Sequence, residues 1–123
     1  MPNRPKYLNL LQIRLPLPGI VSIMHRVSGA VLFLALPLIL CGLQKSLGSF
    51  DTFLVMKDAF SSPLVKIVMI GLLWGYLHHL AAGIRHLLLD IDVGTELASA
   101  RLASIMVLVV SIALTVVAGA LIW

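Results

Sequence analysis

Of 123 residues, 60% are hydrophobic and only 11% carry charge, too little polarity to cover the surface of a soluble domain of this size. The net charge of +4 would point to nucleic acid in a soluble chain. Here the basic residues flank long apolar runs, so the charge reads as membrane topology and no nucleic-acid partner is expected. A single cysteine, Cys41, excludes an intramolecular disulfide and reads as a small packing residue.

Residues 1–18 form a basic arm punctuated by Pro2, Pro5, Pro16 and Pro18. It has neither the apolar core and small-residue cleavage site of a secretory signal nor the Ser/Arg-rich character of an organellar leader. A bacterial inner membrane is therefore the expected location. A first span is predicted over about 19–43, with Pro18 in its first turn and a kink at Pro37. Gly42, Gly48 and the Ser61-Ser62-Pro63 sequence then punctuate a loop, in which Asp51 to Phe60 forms a short interfacial helix. The second span is predicted over 63–89, capped by Ser61 or Ser62, and is followed by an acidic turn holding Asp90, Asp92, Gly94 and Glu96. The third covers 98–122, leaving Trp123 as an aromatic at the outer interface.

The stretches 27–44, 67–84 and 102–123 contain no Asp, Glu, Lys or Arg, and each matches the ~20 residues needed to cross hydrocarbon. Continuous apolar runs lack the alternation of a membrane barrel, so the fold class is all-α: an integral membrane chain of three transmembrane helices in one domain. Arg4, Lys6, Arg14, Arg26, Arg85 and Arg101 fall on one side of the membrane; Lys45, Lys57 and Lys66 fall on the other, with Asp51 and Asp58. The positive-inside rule puts the N-terminus in the cytoplasm and the C-terminus in the periplasm.

Ionisable groups within hydrocarbon are costly and face a protein interior, a cofactor or water. Two clusters of them occur. Ser22, His25 and Arg26 open the first span; His78, His79, Arg85, His86 and Asp90 close the second. Because the two spans run in opposite directions, these clusters share one membrane depth. At ~100° per residue, Gly75, His79, Gly83, His86 and Asp90 lie along one stripe, and Ser22 and Arg26 share a face. A histidine with glycines a turn above and below it leaves bare backbone for a flat macrocycle, whose iron an imidazole nitrogen can bind axially. The competing reading is that small residues serve helix packing and the histidines bond between helices. Arg85 taken alone reads as an anchor reaching the headgroups. Asp90, set against the dipole at a helix C-terminus, calls for a partner such as Arg85 or Arg26.

The segment RPKYLNLLQIRLPLPGIVSIMHRVSG (Arg4 to Gly29), together with HHLAAGIRHLLLD (His78 to Asp90), resembles the two signatures of the cytochrome b membrane-anchor subunit of succinate dehydrogenase, especially its bacterial form. The arm departs from many mitochondrial members in lacking an S-P-H-L stretch. The resemblance implies a complex with a flavoprotein, an iron–sulfur subunit and a second small membrane subunit, embedded among membrane lipids. It implies haem b as cofactor and ubiquinone as substrate. By matched position, His79 is the haem iron ligand, four residues before the Gly of GIRH, and the partner membrane subunit supplies the second ligand. Ser22, Ile23 and Arg26 match the quinone site; His25, Arg26, Gly83 and His86 match positions around the haem. Succinate itself is not transformed on this chain. The alternatives are the anchor of a quinol-oxidising fumarate reductase and a non-redox structural three-helix protein. A channel fits less well, since three helices offer few pore-lining polar groups.

Overall fold

The computed structural model describes residues 14–122. Most of the arm and the interfacial role expected of Trp123 therefore lie outside the described residues. Four helices follow in chain order: α1 (Leu17–Gly48), α2 (Phe50–Ser61), α3 (Pro63–Asp90) and α4 (Leu97–Ile122). Three of them, α1, α3 and α4, are long and apolar enough to cross a membrane. The chain is a multi-pass membrane protein.

The first helix opens with a proline at its first positions, whose missing N–H is an orphan there anyway, and it runs unbroken through Pro37. It also passes the end expected near residue 43. At 1.5 Å per residue its 32 residues span ~48 Å, well beyond the hydrocarbon thickness. Gly42 does not terminate it, because that glycine faces a neighbour: a Cβ there would touch Met56 Cε at 3.7 Å. The short helix expected over Asp51 to Phe60 is present as α2, which folds back against this end. Ser49 alone separates the two helices, and it forms a capping box with Thr52, each side chain accepting from the other's backbone N–H.

Ser62 occupies the N-cap position of α3 but makes no side-chain cap bond, and Ser61 Oγ instead donates back to Asp58 O at 2.6 Å. The helix ends in a Schellman arrangement. Val93 N–H donates to Leu88 O at 2.9 Å and Asp92 N–H to Leu89 O at 3.0 Å. Asp92 adopts the left-handed conformation (φ 60°) that glycine usually fills there, and Gly94 follows at φ 78°. This tight turn brings α4 back antiparallel to α3.

The third helix packs against all the others and is the centre of the fold. The apolar interior is small: Val21, Ala82 and Val107, with Leu17, Ala81 and Leu108 against them. Most large apolar side chains point outward, including Phe33, Leu38 and Leu121. That is the arrangement lipid allows, since burying them gains nothing over lipid tails. Between helices the contacts are small and polar. Ser104, Ser111 and Thr115 are buried on α4 and donate to carbonyls of their own helix at 2.7, 3.0 and 2.7 Å, so close approach strands no hydroxyl.

The capping box carries a testable consequence. Ser49→Ala leaves the Thr52 N–H without its side-chain acceptor, and should weaken that helix by about 0.5–2 kcal/mol. Hydrogen exchange in detergent should show faster exchange at Thr52 and Phe53 with no change in α3.

Candidate functional site

Three imidazoles from two helices meet at one end of the α1–α3 hairpin. His25 lies on α1, about two turns beyond Pro18; His79 and His86 lie on α3, two turns apart. The His25 ring stacks on that of His79 with centroids 4.2 Å apart and planes 10° apart. It meets His86 at 5.0 Å and 45°. These contacts place the two polar clusters at one end of the hairpin, as the antiparallel reading of the sequence requires.

His79 is held by three consecutive features of α1. Its Nδ1 lies 3.0 Å from the His25 carbonyl oxygen and 3.3 Å from Ser28 Oγ. A carbonyl only accepts, so Nδ1 is the protonated nitrogen; Ser28, whose own hydroxyl donates to the same carbonyl at 2.8 Å, completes the bond as a second acceptor. The ring then lies over Gly29. A Cβ on that residue would sit 2.8 Å from His79 Cε1, closer than atoms pack without displacement. With Nδ1 donating, the neutral ring carries its lone pair at Nε2, the state in which imidazole binds a metal.

His25, His79, Gly83 and His86, with Leu80, Ile84 and Leu87, line an open groove of about 400 Å³. Gly83 lines the groove with the His25 ring beside it: a Cβ there would stand 3.5 Å from His25 Nε2, an ordinary contact distance. Gly75 is buried, yet a built Cβ there meets nothing within 4 Å.

Ser22 is half-buried, Ile23 is 37% exposed and Arg26 is exposed, and none of the three belongs to the imidazole groove. They form an adjoining patch of α1 in which Ser22 and Arg26 have no hydrogen-bond or ion-pair partner among the described residues. Two other expectations are corrected. Arg85 does not extend from the helix as an exposed anchor: it is 7% exposed, with Nε unpartnered, because its position on α3 faces the interior with His78 and Ala82. Asp90 is exposed and pairs with neither Arg85 nor Arg26. His78 is fully buried against Trp74, ring centroids 5.5 Å apart, and points away from the groove that its neighbour lines.

Comparison with known proteins decides the family. The model described as "Succinate dehydrogenase/Fumarate reductase transmembrane subunit" matches residues 1–118. The chain belongs to this family. Among its relatives are proteins named succinate dehydrogenase cytochrome b556 subunit. That of Coxiella burnetii is 36% identical over 122 residues, covering 98% of each chain. That of Paracoccus denitrificans is 35% identical over 114 residues, covering 93% of this chain and 88% of its own. That of Rickettsia felis is 30% identical, covering 92% and 88%. The chain is thus a membrane-anchor subunit of succinate dehydrogenase, part of an oxidoreductase complex with other subunits.

For this anchor subunit, sequence reasoning missed Ser28 and Gly29 as parts of the site. Both stand in the HRVSG motif, one helical turn from His25, and that spacing was the available signal. Gly29→Ala should push the His79 ring aside and destabilise the hairpin by about 1–3 kcal/mol. Gly75→Ala, with open space before it, should leave stability unchanged. Thermal inactivation of the purified complex compares the two.

Proposed function

We propose that this subunit holds one side of a b-type haem through His79 and forms one wall of the site where a quinone accepts the electrons of succinate. The observation that carries the reading is the His79 ring, fixed through Nδ1 by the His25 carbonyl and presenting a basic Nε2 beside an open groove. The cytochrome b556 names of the relatives support the same cofactor. The donor chemistry fits: one neutral imidazole with fixed tautomer, and cationic or donor side chains (His25, His86, Arg26) near it for a macrocycle's carboxylates. A second iron ligand would come from the second membrane subunit. When bound, the haem supplies a one-electron carrier with a potential set by its axial ligands and surroundings.

The work of the protein's own residues is binding and charge stabilisation. Arg26, exposed and unpaired among the described residues, is available to a quinone carbonyl oxygen, and its positive charge favours the negative charge that grows there on reduction. The Ser22 hydroxyl, one turn earlier on the same face, donates a second hydrogen bond. Ile23 offers apolar contact to the quinone ring. This end of the hairpin faces the cytoplasm of a bacterial inner membrane on the positive-inside reading, next to the flavoprotein and iron–sulfur subunits and to a supply of protons. Succinate is oxidised elsewhere in the complex. The quinol-oxidising direction would use the same residues, and the names of the relatives favour succinate oxidation.

Two measurements test this. A reduced-minus-oxidised spectrum of membranes containing the assembled complex should lose or shift its b-type band in His79→Ala and keep it in the wild type; an unchanged band would refute the ligand assignment. Arg26→Ala should lower succinate-driven quinone reduction by about 10²-fold or more. Reduction of a soluble artificial dye by the same preparation should persist, whereas equal loss of both activities would point to failed assembly.

A further inference from the structure

Behind the imidazole groove, on the other side of α3, a second cavity opens between α3 and α4. It has a volume of about 470 Å³ and is lined by Arg85 and by apolar residues that include Ile84, Leu88, Met106, Val107 and Val110. Arg85 is its one charged lining residue. We propose that this groove binds a phospholipid that carries an amine, with the phosphate on Arg85 and one acyl chain along α4.

Arg85 is more than nine-tenths buried, and its Nε has no hydrogen-bond partner. No side chain of the described residues forms an ion pair with it. A guanidinium carries a full charge and donors fixed in a plane, and leaving its buried Nε–H unmatched is costly. The matching chemistry is a tetrahedral or planar oxyanion that takes two parallel N–H bonds. Depth selects the source of that anion. Arg85 stands five residues before the end of α3, ~7.5 Å along the axis, and the 28 residues of that helix span ~42 Å against ~30 Å of hydrocarbon, which brings Arg85 near the hydrocarbon–headgroup boundary. Apart from Ser99 near the turn, the rest of the lining is apolar and runs along α4 from Leu102 to Val110, as an acyl chain requires and a free phosphate does not.

The turn that closes the cavity narrows the headgroup. Val93 and Gly94 line the groove, and Asp92, beside them, is exposed and held in the left-handed conformation; Asp90 and Glu96 flank the same turn and are exposed. None of these three carboxylates has an ion-pair partner among the described residues. They repel a headgroup of net negative charge and attract an ammonium tethered to the phosphate. A phosphatidylethanolamine matches both the cation and the carboxylates.

The test uses the assembled complex, depleted of lipid by detergent exchange and reloaded with phosphatidylethanolamine, phosphatidylglycerol or inorganic phosphate, with bound species read by native mass spectrometry. The wild type should recover phosphatidylethanolamine saturably on this subunit, with phosphatidylglycerol several-fold weaker and inorganic phosphate not retained. R85Q should lose that adduct. A103W, which fills the groove and keeps the guanidinium, should lose it as well. A photoactivatable phosphatidylethanolamine should label the Met106–Val110 peptide of the unmutated protein, which keeps the proposal decidable should either variant fail to assemble. Equal lipid retention in wild type and both variants would overturn it. So would labelling confined to other helices, preference for phosphatidylglycerol, retention of phosphate alone, or a cross-link from a partner subunit's carboxylate to the Arg85 region in lipid-free complex.

Discussion

The contact between His79 and the backbone of α1 is the constraint on which the rest of the arrangement depends. One carbonyl, that of His25, receives both the imidazole N–H and the Ser28 hydroxyl, while Gly29 removes the side chain that would hold the ring away. In lipid there is no hydrophobic gain in bringing two apolar helices together, so such short-range bonds and small residues set the register. The same bond fixes the imidazole tautomer. A helix–helix contact and the orientation of the His79 ring are thus a single interaction.

That coupling explains why the three rings are gathered where they are. The ring of His25 leans over Gly83 and touches both His79 and His86, so α1 contributes its side chain to the groove and its carbonyl to the ligand. Ser22, Ile23 and Arg26 then follow on the exposed side of α1, next to the groove and outside it. The imidazole groove and the Ser22–Arg26 patch are therefore neighbouring faces rather than one shared cavity.

The third helix divides the molecule into two polar environments. Its groove side presents His79 and His86, half-exposed; its interior side presents His78 and Arg85, both buried. Adjacent residues in sequence thereby come to opposite ends of the accessibility scale, because ~100° of rotation separates them. The chemistry of the two sides differs accordingly. Bonded imidazoles face an open groove, and a guanidinium with an unmatched Nε faces an apolar cavity.

Much of the fold was legible in the sequence because it follows from one-dimensional patterns. Three charge-free runs dictate three spanning helices, Pro63 marks a helix start, and the spacing of His79 and His86 puts them on one face irrespective of what packs there. The extension of α1 past Gly42 was not legible, since a glycine stops or continues a helix according to what covers it, and Met56 covers this one. Nor were the burial of Arg85 or the parts played by Ser28 and Gly29. A sequence states which residues share a helix face. Which of those faces meets another helix, and at what height, is decided only when α1, α3 and α4 settle against one another, because that depends on the depth and rotation at which side chains and backbone interlock.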